Sequence, residues 1–253
     1  MDMPPIFYEI HSNLPRAGPG DNESTSRAFR ALKNLPPKPR ILDIGCGPGM
    51  QTVQLAKLSG GQIEAVDRHQ PFLDQLILSA KKEGVSDRIN AVQGDMFNLK
   101  YEKESFDIVW CEGAIFIIGF EKGLREWRRL LAKNGYLVVS ELSWFRTDLP
   151  KEIETYMNEM YAVLENSQAQ SMEENIEIAK NAGFEVIDSF TLPKSSWWNN
   201  YYTPIEVKLP VLKAKHKDEP EALQCLAGEE KELEMFRKYS DYYGYAFYVL
   251  QKT

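Results

Sequence analysis

Residues 40–49 read Arg-Ile-Leu-Asp-Ile-Gly-Cys-Gly-Pro-Gly, an apolar run that enters three glycines spaced two apart. Ile41, Leu42 and Ile44 predict a short strand buried on both faces, the kind found in parallel sheets covered by helices. Gly45, Gly47 and Gly49 then open a predicted helix that continues through Val53, Leu55, Ala56 and Leu58. A backbone without Cβ atoms can turn sharply there and approach a ligand, while the helix N-terminus presents unpaired N–H donors. The dinucleotide fingerprint G-x-G-x-x-G would want its third glycine at position 50, where Met50 stands.

The rest of the chain alternates strand and helix. Gln62–Asp67 predicts a second strand with Asp67 at its carboxyl end, and Pro71–Lys82 a helix stopped by Gly84. Residues 87–96 give a third strand closing on Gly94-Asp95-Met96, and residues 104–112 a fourth closing on Glu112. An amphipathic helix is expected over Glu121–Lys133, with Arg125, Arg128, Arg129 and Lys133 as a solvated basic face, then a fifth strand over Asn134–Glu141.

This series, from an acid two residues before Gly45 to Glu141, resembles the class I S-adenosylmethionine-dependent methyltransferases, in particular their small-molecule type 11 or 25 group. The resemblance spans residues 40–142. It implies an α/β fold, a Rossmann-like, doubly wound, mostly parallel seven-stranded sheet with an antiparallel last strand, here with a helical cap. It also implies S-adenosyl-L-methionine as cofactor and methyl transfer to a small-molecule acceptor. Carried onto this sequence, the cofactor-binding set is Asp43, Gly45, Cys46, Gly47, Asp67, Arg68, Asp95, Met96, Cys111 and Arg16. Asp67 would accept from both ribose hydroxyls, although an aspartate there is also a good helix cap. Asp95 would accept from the adenine amine, with Met96 against the ring; the plainer role is a turn aspartate beside a core methionine.

Around this core, residues 1–36 are rich in turn formers and read as an N-terminal flap and helix, with Tyr8, His11 and Arg16 in it. Residues 37–192 form the expected cofactor-binding core and 242–253 its last strand. Helices are expected over Pro150–Leu164 and Ser171–Asn181, and a strand over Phe184–Phe190. Residues 193–241 exceed the connection such a core needs and read as a lid or an interface. A formal net charge of −7 argues against nucleic acid or an anionic membrane as partner, since phosphate neutralisation needs a basic face. Three cysteines without a C-x-x-C pair suggest neither a disulfide framework nor a thiolate metal site, and no metal is expected. No apolar run approaches the roughly 18 residues of a membrane helix, and the amino terminus lacks a signal pattern, so the expected location is the cytoplasm. Monomer and homodimer both stay open.

The acceptor side is read from Glu112, Glu141, Trp144, Trp197 and Tyr201, whose acids and aromatic rings suit an amine through charge pairing and cation–π contact. Glu112 is the expected catalytic residue; Glu141, Tyr8 and His11 are the other candidate bases. On this reading Glu112→Gln lowers turnover and leaves cofactor affinity nearly intact. An RNA methyltransferase and a non-catalytic S-adenosylmethionine-binding protein are the alternatives.

Overall fold

A computed structural model describes residues 4–162 and 168–253. The core strands are β1 (Arg40–Ile44), β2 (Gln62–Asp67), β3 (Ile89–Gln93), β4 (Phe106–Glu112), β5 (Leu131–Trp144), β6 (Gln170–Ser171), β7 (Phe184–Thr191) and β8 (Tyr243–Lys252). Their order across the sheet is β3-β2-β1-β4-β5-β8-β7, with the two-residue β6 alongside the end of β5. β1 to β5 run parallel, and β8 lies antiparallel between β5 and β7. The expected doubly wound sheet with an antiparallel last strand is therefore present, and β8 is an interior strand with all but its last two residues buried. The strand order reverses between β1 and β4, which places a crevice at the carboxyl ends of those two strands.

Alternation along the central strands divides the interior into two layers. Ile41, Ile108, Trp110, Val138 and Phe247 pack on one face. Leu42, Ile44, Val109, Val139 and Tyr248 pack on the other. Helices cover both: α3 (Met50–Ser59) and α4 (Gln70–Lys82) on the first, α5 (Phe120–Trp127) and α7 (Met172–Asn181) on the second. Ser171 begins α7 with a reciprocal capping box to Glu174, the local reason this helix starts where it does.

One helix expectation is corrected. The helix expected to reach Lys133 ends at Trp127, passes through a 3-10 turn to Leu130, and gives way to β5 at Leu131. Leu131 pairs with Phe106, and Asn134, at φ 60°, turns the strand into its main register with β4. The amphipathic pattern continues past the point where strand pairing takes over. The basic face is also less solvated than expected: Arg129 donates to the carbonyls of Tyr101 and Leu99 at 2.9 and 2.8 Å, and Arg128 to that of Gly183 at 3.1 Å. The helix expected over Pro150–Leu164 is present as far as it is described. It is seen as α6 (Lys151–Ala162), and its final residues lie outside those described.

The N-terminal and inserted segments meet. α1 (Pro5–His11) and α2 (Asn22–Ala31) come from the former; α8 (Lys194–Trp197), α9 (Thr203–Lys215) and α10 (Pro220–Tyr239) come from the latter, with a π turn over Trp198–Tyr202 joining α8 to α9. Lys208 donates to the Ile10 carbonyl at 2.9 Å, Asn200 to that of Gly20 at 3.0 Å, and the Ser196 hydroxyl to Asp21. Asp21 in turn caps α2 through Ser24 N at 2.6 Å, so one carboxylate ends the flap and ties it to the insertion. Among the described residues no helix is long and apolar enough to cross a membrane.

Candidate active site

The glycine loop sits at the carboxyl end of β1. Gly45 and Gly49 are glycine for steric reasons: a Cβ on Gly45 would stand 2.7 Å from that of Ala114, and one on Gly49 would overlap the Leu76 side chain. Gly47 differs. Its nearest neighbour would be Ala17 of the flap at 3.6 Å, an ordinary contact. Its N–H donates to Asp67 Oδ2 at 2.9 Å, and Asp67 Oδ1 accepts from His69 N at 2.9 Å. Asp67 thus spans the ends of β1 and β2, and burial pushes its carboxyl pKa upward despite these bonds.

Asp43, in β1 just before the loop, is fully buried. Its Oδ2 accepts from Thr52 Oγ1 at 2.6 Å, while Oδ1 is buried without a partner. Burial pushes this carboxyl up to about 7. Cys46 beside it is buried; burial raises its thiol pKa, and its carbonyl accepts from Gln51 at 2.8 Å. Met96 is buried near Gly45. Asp95 is half-buried and bonds Phe97 N at 3.0 Å, which is the turn role foreseen as its plainer alternative. Arg68 is exposed, and Cys111 is sealed in the second apolar layer, which leaves its side chain no open face toward the crevice.

The N-terminal segment crosses this loop, Ala17 lying against Gly47. Arg16 is almost fully buried, and a methyl on Gly20 would fall on its guanidinium. Its Nη2 donates to Glu112 Oε2, while Nη1 is buried without a partner. Glu112 Oε1 accepts from Thr25 Oγ1 at 2.7 Å and from Trp110 Nε1 at 2.9 Å. The residue expected to face substrate is thus bonded to three donors, two of them from the N-terminal segment. Thr25 and Trp110 gave no sequence signal for this role. In this arrangement the Glu112 oxygens hold the N-terminal segment through Arg16 and Thr25, and the indole of its own strand through Trp110.

Glu141 has a different environment. Glu112 is the last residue of β4 paired with β5, opposite Ser140, so Glu141 is the first residue of β5 past that pairing. It is 5% exposed. Its Oε1 accepts from Leu142 N at 2.9 Å and, weakly, from the Tyr161 hydroxyl at 3.4 Å; Oε2 is buried and unpartnered. Burial pushes the carboxyl up to about 8. Tyr245, on β8, packs its ring where a side chain on Gly113 would stand, 3.2 Å from that position, and its centroid lies 5.0 Å from that of Trp197. Tyr161 and Tyr245 come from distant elements and carried no motif.

The remaining aromatic candidates are packed into the cap. Trp197 stacks on Phe236 at 4.2 Å and Trp144 meets Tyr243 edge-on at 6.1 Å. Tyr201 bonds His11. The His11 Nδ1 lies 2.7 Å from the Phe7 carbonyl, which can only accept, so Nδ1 carries the proton and Nε2 accepts from the Tyr201 hydroxyl at 3.1 Å. Burial lowers His11 to about 4 and commits it to this joint, a poor setting for a base. Tyr8 stacks on His69 at 3.8 Å, above the end of β2.

Residues 42–139 match the methyltransferase domain family. The match covers β1 to β5 up to Val139, the part of the sheet that carries the glycine loop. A sterol 24-C-methyltransferase of Gibberella zeae is 28% identical to this chain over 158 residues, 60% of this chain and 41% of that one. The chain spans less than half the length of the first curated relatives it matches. A methyltransferase of Geobacter sulfurreducens, crystallised with S-adenosyl-L-homocysteine, superposes with a TM-score of 0.82 at 21% identity over 100% of this chain and 99% of that chain. A phosphoethanolamine N-methyltransferase of Haemonchus contortus does so with a TM-score of 0.65 at 21% identity, covering 98% of this chain and 56% of the other.

Proposed function

We propose that this chain uses S-adenosylmethionine to methylate a small-molecule acceptor. The observation that carries the reading is a pair of buried, unpartnered polar atoms of opposite character, Arg16 Nη1 and Asp43 Oδ1, at the glycine loop. An amino acid needs that complement: a guanidinium donor for its carboxylate and a carboxylate for its ammonium. Asp67 supplies the carboxylate for ribose hydroxyls at the end of β2, and Asp95 with Met96 the edge and wall for adenine. The residues present fit the cofactor.

The cofactor supplies an electrophilic sulfonium methyl. What falls to the protein is holding the acceptor in line, excluding water and accepting a proton where one must leave. Glu112 and Arg16 hold the flap over the loop, and the flap with the 193–241 insertion forms the lid. An amine is the acceptor class favoured by the carboxyl of Glu141 beside the rings of Tyr245 and Trp197, and the N-methyltransferase among the structural neighbours agrees with it. Calorimetric titration with S-adenosylmethionine and S-adenosylhomocysteine tests the cofactor: saturable binding weakened by Asp67→Ala supports it, and no binding by the folded protein overturns it.

A further inference from the structure

With Glu112 committed to Arg16, Thr25 and Trp110, and Asp43 assigned to the cofactor's ammonium, Glu141 is the buried carboxyl with a free oxygen left at this end of the sheet among the described residues. We infer that Glu141, through Oε2, is the group that contacts the acceptor and takes its proton. The inference rests on the methyltransferase reading above and assigns a role to a residue of that site. Its position carries the argument. Glu141 stands one residue beyond the β4–β5 pairing, where the sheet opens beside Gly113, and its unpartnered oxygen is walled from water. A buried acceptor atom without a donor is costly, by roughly 1–3 kcal/mol, and a ligand donor removes that cost.

The groups around it suit a proton acceptor. Tyr161 of α6 bonds its other oxygen; Tyr245 and Tyr248 of β8 and Cys111 of β4 interact with it electrostatically. Burial raises the pKa of all four of these neighbours, and none offers Glu141 a positive charge. The Glu141 carboxyl therefore holds its proton up to about 8, close to where an amine exchanges one. As an alkylammonium enters, the Glu141 carboxyl releases its own proton to solvent, and the carboxylate so formed then takes one proton from the bound nitrogen. The nitrogen lone pair then forms the N–CH3 bond, and the S–CH3 bonding pair stays on sulfur, leaving a neutral thioether. The product carries the positive charge the sulfonium lost.

Two readouts separate this inference from the reading beneath it. The first is S-adenosylhomocysteine binding to wild type, Glu141→Gln and Glu141→Asp. Failure in wild type removes the methyltransferase reading itself; equal affinities in the three show that Glu141 is not needed to bind cofactor. The second is calorimetry of the S-adenosylhomocysteine complex at pH 7 with ethanolamine, dimethylethylamine and trimethylamine, in two buffers of different ionisation enthalpy. Amine binding to wild type is expected to release nearly one proton per site, because the carboxyl must ionise to pair with the cation. Glu141→Gln is expected to abolish that release, and Glu141→Asp to keep it. An unchanged release in Glu141→Gln, or no amine binding to a wild-type complex that holds S-adenosylhomocysteine, overturns the inference.

Discussion

Arg16 and Glu112, 96 residues apart, form a buried ion pair with side chains 4% and 1% exposed. One belongs to the flap and the other to the end of β4, so the bond that closes the flap is also a bond within the sheet's crevice. Breaking a buried pair from one side leaves an uncompensated charge, at a cost of about 3–5 kcal/mol. Glu112→Gln is expected to lower stability by an amount of that order and to weaken cofactor binding with it. Denaturant unfolding and calorimetry on the same variant check this. The sequence alone predicted loss of turnover with affinity retained, and that split would show that the flap closes without the pair.

The cap has its own joint at His11 and Tyr201. Tyr201→Phe leaves the His11 Nε2 buried and unpaired, at an expected cost of about 1–3 kcal/mol. Limited proteolysis of residues 1–21 is expected to speed up, and S-adenosylhomocysteine to dissociate faster. His11 is depressed from 6.5 to about 4 on folding, so the stability it permits is full above pH 6.5 and is lost as pH falls toward 4. His11→Gln is expected to flatten that part of the stability–pH curve.

Cofactor affinity is expected to depend on Asp43. Its folded pKa of about 7 lies above the ordinary 3.8, so the stability it contributes is full below 3.8 and is lost as pH rises through 7. The cofactor's ammonium needs the ionised form. Affinity is therefore expected to rise by up to about tenfold per pH unit toward pH 7 and then level off. Calorimetry at pH 6, 7 and 8 measures this; Asp43→Asn is expected to bind weakly with little slope.

Alanine at two glycines should separate packing from binding. Gly49→Ala drives a Cβ into Leu76 at φ 87°, whereas Gly47→Ala meets only Ala17 at φ 55°. The first is expected to cost more stability, about 3 kcal/mol against about 1 for the second. The second is expected to lose more cofactor affinity for each kcal/mol of stability lost. Paired melting and binding curves decide it.

The core was legible because its strands are short apolar runs closed by acids: Ile41, Leu42 and Ile44 before Gly45, and Ile63 and Val66 before Asp67, leave little choice of period. The helix over Arg128–Lys133 was misread because periodicity cannot register that Leu131 has a partner in Phe106. The candidate site was less legible. The sequence leads one to expect Glu112 and Glu141 at strand ends, whereas β5 runs on to Trp144, and it does not show that Arg16, Thr25 and Trp110 consume one of them and leave an oxygen free on the other. The same holds for Trp197 and Tyr201, whose rings serve stacking and a hydrogen bond within the cap.

The interior position of β8 bears on how the chain is made. His11 waits for Tyr201, 190 residues later, and β7 reaches the sheet only through β8, which ends at Lys252. Contacts of such long sequence separation form slowly, since wide loops must close before any of them is gained. During synthesis the glycine loop and the Arg16–Glu112 pair therefore emerge early, while the N-terminal segment lacks its joints to Ser196, Asn200, Tyr201 and Lys208 until those residues have left the ribosome. A nascent chain stalled before residue 243 would expose an apolar β5 edge and leave β7 unpaired, a natural point for chaperone capture.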